Sequence, residues 1–180
     1  MGKLTALKEL KKAYLQQMFP QEGESVPRLR FAGFEGEWEQ RKLGEMLISL
    51  TTRNYIVEKI DGSTNPVIQQ GNTPTIGFSD DEPFANYEDV TLFGDHTLSL
   101  YKPASPFLLA TDGIKILQID KVDGFFTHYL LERNIPIPEG YKRHFSILKD
   151  TSVWFTADKF EQTAIGNFFR ALDELITLHS

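Results

Sequence analysis

Arg53 and Asn54, then Gln69, Gln70 and Asn72, then His96 and Thr97, and finally Tyr141, Lys142, Arg143 and His144 fall in four turns, three of them marked by Gly71, Gly94 and Gly140. With Lys102, these side chains have the chemistry to read duplex nucleic acid. Glutamine and asparagine pair bidentately with adenine, arginine pairs with guanine, and lysine, threonine or histidine holds phosphates. Taken singly, each is an ordinary solvated turn. Four on one scaffold make a recognition surface the reading to test.

Other chemistry finds less support in the sequence. Glu9 and Lys11 have the letters of a nuclease site but sit in a helical pattern, where a solvated face accounts for them, and Asp80, Asp81 and Glu82 follow Gly77 as an exposed acidic turn. No phosphate-binding glycine loop is present. Asn65-Pro66-Val67-Ile68 resembles part of the Asn-Pro-Pro-aromatic element of amino methyltransferases but lacks its second proline and its aromatic residue. His96, His128, His144 and His179 show no helical metal-ligand spacing, and no nucleophile elbow supports a Ser-His-Asp arrangement. The expectation is a non-catalytic protein without cofactor or metal.

The turns need a scaffold. In residues 3 to 19, Leu4, Leu7, Leu10, Tyr14, Leu15 and Met18 recur at three- and four-residue steps beside Lys8, Lys11 and Lys12, which predicts an amphipathic helix ended by Pro20. At the other end, Asp158 and Glu161 form a capping-box pattern. Ile165, Phe168, Phe169, Leu172, Leu175 and Ile176 then make a second stripe, predicting a helix over 159 to 179. Each is only two to three heptads long, so the two need each other or a partner. Between them, short apolar runs at Val67 to Gln69, Val90 to Phe93, Thr97 to Tyr101, Phe107 to Ala110, Ile114 to Ile119 and Ser152 to Phe155 predict strands. Helical patterns occur around Lys42 to Leu50 and Phe125 to Arg133, and Gln21 to Gly36 reads as an ordered connector. The fold class is α+β: a mixed, largely β body with N- and C-terminal helices packed as an antiparallel coiled-coil hairpin.

At 180 residues, 41% of them hydrophobic, the chain can bury a core as one globular domain with a helical appendage. It has no cysteine, which excludes disulfides and thiolate metal sites and agrees with the cytoplasm. Lysines interleave with leucines from Met1 to Leu15, unlike a signal peptide, and no run approaches a membrane span. The net charge of −6 counts against a domain that coats nucleic acid non-specifically, while leaving room for a local basic face.

Seven strings give the chain a resemblance to the DNA specificity subunit of type I restriction-modification systems: LKELKKAYLQQMFP (7–20), PRLRFAGFEGEWEQRKLGE (27–45), PVIQQG (66–71), LFGDHTLSLYKP (92–103), ATDGIKIL (110–117), GYKRHFSILK (140–149) and EQTAIGNFFRALDELITLH (161–179). The complete subunit of that family has two target recognition domains separated by two long antiparallel helices, and a string like 161–179 runs directly into one like 3–20. Here they occupy opposite ends. The resemblance therefore implies a half-size chain, natural or cut from a longer one: conserved-region helices at 3–20 and 158–180 and one target recognition domain at 21–157. It implies sequence-specific duplex DNA recognition, with methyltransferase subunits as direct partners and the restriction subunit reached through the complex. Self-association through Leu4, Leu7, Leu10, Tyr14, Ile165, Phe168, Phe169, Leu172, Leu175 and Ile176 would make a homodimer that reads a bipartite site. The alternative is a truncated subunit that binds the methyltransferase without reading DNA.

Overall fold

The computed structural model describes residues 2–180. In chain order, helix α1 (Lys3–Gln17) is followed by strand β1 (Glu39–Lys42), the single turn α2 (Leu43–Met46), and strands β2 (Leu47–Leu50), β3 (Asn65–Ile68), β4 (Thr75–Ser79), β5 (Thr91–Gly94), β6 (Leu100–Tyr101), β7 (Leu108–Leu109) and β8 (Ile114–Ile119). Helix α3 (Gly124–Arg133), the short α4 (Phe145–Lys149), strand β9 (Ser152–Phe155) and helix α5 (Lys159–Leu178) complete it. The α+β class and both terminal helices are as the sequence predicts. Around Lys42 to Leu50, however, the helical pattern yields one turn and then a strand, because Leu47 to Leu50 pair with Ile119 to Ile116 of β8.

α1 and α5 lie antiparallel. Lys11 Nζ reaches Asp173 Oδ1 at 2.8 Å, while three residues further along α1 the Tyr14 ring meets the edge of Phe168, five residues back along α5. α3 completes the hairpin as a third helix, tied in through the Lys11–Glu132 pair at 2.8 Å and a Tyr129 hydroxyl that donates to Asp173 Oδ2 at 2.6 Å. Lys11 thus leaves the solvated face that its spacing predicts. Although burial opposes its charge, Glu132 and Asp173 hold its ammonium above the usual lysine range. Gly166 lets α5 cross the start of α3, since a Cβ there would stand 2.8 Å from Asp123 Oδ1, the oxygen that caps α3 by accepting from Phe126 N.

An aromatic cluster fastens these helices to the body. Phe19, just beyond α1, packs on Trp38, Phe126 and Phe169, and Phe126 packs on Phe155 of β9. Trp38 and Phe155 flank the β1–β9 ribbon, so the two ends of the chain are held by the same apolar core. Beyond it lie a four-stranded antiparallel sheet in the order β2-β8-β5-β6 and a three-stranded sheet in the order β4-β3-β7.

The registers set which loops meet. β2 ends with Leu50 opposite Ile116, β5 ends with Gly94 opposite Ile114, and Ala110 N donates to Ile68 O as β3 ends. The segments after β2, β3 and β5 and the turn before β8 therefore emerge at one end of the body. That end carries most of the polar donors singled out above.

One buried group predicts a pH response. His128 is enclosed, with Nδ1 3.3 Å from Thr91 Oγ1, and burial, aided by Lys11 and Lys102, holds its pKa down to about 3. The ring is neutral, so its 3.9 Å approach to Glu132 is not an ion pair. In the unfolded chain the same ring takes a proton near pH 6.5, so its contribution to stability falls as the pH drops below 6.5 towards 3. At about 1.4 kcal/mol per pH unit, the loss between pH 6.5 and 5 is about 2 kcal/mol. Urea unfolding of the wild type and His128→Gln at pH 7 and pH 5 checks this: the wild type loses that much more than the variant.

Candidate nucleic-acid interface

Gln70 sits at the centre of the loop end and points inward. Its Oε1 accepts from His96 N at 3.0 Å, Thr97 N at 3.2 Å and Thr97 Oγ1 at 3.3 Å. Gly71 N donates to Ser99 Oγ at 2.9 Å, closing the 69–74 turn on the 95–99 turn. Gly94 makes this approach feasible: a Cβ there would lie 2.6 Å from Gln70 Cβ and 2.5 Å from Thr97 Oγ1. Within the turn, Leu98 has a left-handed φ of 57°, and Leu98 N donates to Gly94 O at 2.9 Å. A leucine holds that conformation only where its surroundings over-determine it. The turn is built to keep one shape.

The third loop joins through Asp95. His144 N and Phe145 N donate to Asp95 Oδ1 at 2.9 and 2.8 Å, and the exposed Arg143 donates from Nη1 to Oδ2 at 3.2 Å. The rings of His96 and Tyr141 stack with centroids 5.4 Å apart, although Tyr141 is 95% exposed. Asn72, Thr97, Lys142 and Arg143 are exposed as well, and Gln69 is half-buried with its amide donating to Thr73 O at 2.8 Å. Arg53 and Asn54 are exposed on a short 3-10 turn after β2, at the same end of the sheet.

Two residues sit elsewhere than a DNA contact requires. His144 is fully buried and spends its ring on the backbone: Glu139 N donates to Nε2 at 3.1 Å, which places the proton on Nδ1, 3.2 Å from Asp95 O. It braces the loop from within. Lys102 lies at the opposite end of the sheet, facing a groove of about 1130 Å³ between the body and α5. Its Nζ donates to Tyr87 O, Glu88 O and Val90 O at 3.2, 2.8 and 3.1 Å and lies 4.8 Å from the centre of the Phe125 ring. Burial holds its pKa down to about 8, and three carbonyls use all three of its donors. Neither side chain is free to hold a phosphate.

The structure also adds residues that single-residue patterns do not reveal. Lys115 of β8 and Lys149 of α4 place their ammonium groups 5.7 and 4.9 Å from the ring of Phe145, two positions after Arg143. Two cations distant in sequence thus share one aromatic ring next to the 139–145 loop, in a chain of net charge −6. Asp95 escapes notice in the sequence because an acid in a glycine turn reads as solvated. The acidic turn at Asp80 serves its own neighbourhood, since Ser63 N, the Thr64 hydroxyl and Thr64 N donate to Oδ1 and hold the carboxyl below the usual range.

The sequence matches no protein-family profile and no curated protein. Solved structures do match. A chain of a type I restriction-modification system, from a study of complex assembly and conformational transition, superposes with a TM-score of 0.62 at 18% identity, over 97% of this chain and 46% of that one. The HsdS subunit from Thermoanaerobacter tengcongensis gives 0.55 at 18% identity over 97% and 45%. The type I restriction-modification S subunit from M. genitalium gives 0.57 at 17% over 81% and 41%. The chain spans less than half the length of each of these structures. Together with the terminal helix pair and the loop-bearing β body, these likenesses show that the chain has the fold of type I restriction-modification S subunits.

Proposed function

We propose that the chain, as specificity subunit or half-subunit, reads duplex DNA for a type I restriction-modification complex in the cytoplasm. Residues 21–157 act as the target recognition domain, and residues 3–20 and 158–180 dock methyltransferase subunits and a second copy. The observation that carries the reading is the convergence of three loops, 69–74, 95–99 and 139–145, into one braced surface. It exposes Asn72, Thr97, Tyr141, Lys142 and Arg143, and the ammonium groups of Lys115 and Lys149 lie on the ring of Phe145 at the end of the third loop. Such a surface combines donors for base edges with cations for phosphates, and a rigid scaffold sets their spacing. Catalysis would rest with partner subunits.

A two-fold pair of such chains would present the surface twice and read an interrupted palindrome, since the symmetry of a site mirrors that of the protein on it. Leu10, midway along α1, and Leu175 and Leu178, in the last turns of α5, are exposed and offer apolar surface to such pairing. Selection from random duplexes with the methyltransferase present is expected to enrich a bipartite sequence with identical, inverted halves. No enrichment would refute the reading. Leu175→Glu with Leu178→Glu is expected to halve the solution mass measured by light scattering and to abolish the bipartite preference. A wild type of monomer mass even with its methyltransferase removes the two-fold arrangement.

The acidic net charge favours a second reading, in which the chain binds the methyltransferase and no DNA. The two readings part at the basic loop.

A further inference from the structure

We infer that Asp95, which is 2% exposed and unable to meet DNA itself, is the positioning residue that sets the sequence preference of the loop surface. The inference rests on the DNA-reading function proposed above. Asp95 is a junction of three segments. Its backbone N–H donates to Gly113 O at 2.9 Å, in the turn before β8, and its carbonyl accepts from His144 N at 2.8 Å. Its carboxylate divides its work: Oδ1 receives the two backbone donors of His144 and Phe145, and Oδ2 receives Arg143 Nη1. One oxygen therefore fixes where the 139–145 loop lies, and the other fixes how the Arg143 guanidinium is turned.

The hold on Arg143 bears on specificity. A guanidinium reads guanine through two parallel N–H donors, and the fork must be presented in plane with the base edge. With Nη1 held at 3.2 Å by a buried carboxylate, the side chain is anchored at one corner while 57% of it remains exposed. The anchored corner restricts how the rest of the exposed guanidinium can turn. An unanchored arginine would still attract phosphates, because attraction to phosphate needs charge and not orientation. Asp95 thus separates preference from affinity.

The two oxygens can be tested apart by duplex selection and by amide exchange. Asp95→Asn keeps an Oδ1 acceptor for the two backbone donors and loses the carboxylate for Arg143. It should relax preference at the same base positions as Arg143→Gln, while affinity for a duplex lacking the selected site stays within about threefold. Asp95→Ala removes both oxygens: preference should flatten across the half-site, and exchange of the Phe145 amide should rise about tenfold or more in Asp95→Ala but not in Asp95→Asn. Unchanged selection by either variant overturns the inference, as does relaxation by Asp95→Asn at positions that Arg143→Gln leaves intact. A wild type that selects nothing is a different failure, since it removes the DNA-reading function and this inference with it. Should Asp95→Ala prove unfolded, the Asp95→Asn comparison still decides.

Discussion

Replacing Lys142 and Arg143 together by glutamate is expected to lower affinity for duplex DNA by about two orders of magnitude at physiological salt. The same change should flatten the salt dependence by about two logarithmic units of slope, near 0.9 for each phosphate no longer neutralised. Both side chains are about half exposed at the tip of a braced loop, and neither is fully committed within the protein. Lys142 pairs with Glu139 at 3.0 Å, an exposed ion pair worth less than about 1 kcal/mol that a phosphate can displace. Arg143 keeps donors free beyond the one that Asp95 holds. Reversal also sets carboxylates against Glu139 and buried Asp95, so Lys142→Gln with Arg143→Gln is the control that removes charge without adding repulsion. It should lose a smaller part of the affinity. Fluorescence anisotropy over a series of salt concentrations measures both quantities. Retention of the methyltransferase on the reversed protein must stay intact, because the helices proposed to dock it lie elsewhere. If DNA affinity is unmoved while retention holds, the interaction-only reading replaces DNA recognition.

How much of this is legible before the fold depends on the physical signal each feature leaves. The helices are plain because burial on one side imposes a period, and α5 begins where Asp158 accepts from Phe160 N and Glu161 N. β1 leaves no such trace: Glu39-Gln40-Arg41-Lys42 is polar throughout and is a strand only because β9 lies beside it. β4 alternates weakly because Gly77 interrupts it, where Ile60 packs so closely that a Cβ would overlap it. At the loop surface, residue type and turn position locate Asn72, Thr97, Tyr141, Lys142 and Arg143. They give no measure of burial, which is why the same pattern groups His144 and Lys102 with exposed donors. Lys115 and Lys149 lie far apart in the chain and become neighbours only through the packing of α4 on the sheet end. Preference for a base depends on such neighbours, so single-residue patterns reach the surface but not its orientation.

The strings that carry the resemblance are joined physically, and the joint predicts the largest loss of stability. Arg30, from the 27–45 string, clasps Glu161, from the 161–179 string, through Nε to Oε2 at 2.8 Å and Nη2 to Oε1 at 3.0 Å. The Thr156 hydroxyl also donates to Oε1, at 3.1 Å. The capping-box spacing is therefore half fulfilled: Asp158 caps α5, but Glu161 turns inward to hold the connector, and Asp158 N donates to Thr156 Oγ1 instead. Glu161 is 1% exposed, so its charge is tolerable only while Arg30 is present. Arg30→Ala leaves that carboxylate buried without its counter-ion and is expected to cost about 3–5 kcal/mol. Glu161→Ala should cost less, because Arg30 loses its counter-ion but keeps Gly36 O as an acceptor, while the Thr156 hydroxyl loses its partner. The double variant Arg30→Met with Glu161→Leu removes both charges and keeps the volume, so it should recover most of the loss. Denaturation in urea reads all three. Single losses below about 1 kcal/mol, or a double variant no better than either single one, would show that the connector is held by Phe31 against Phe168 and its apolar neighbours, with the ion pair incidental.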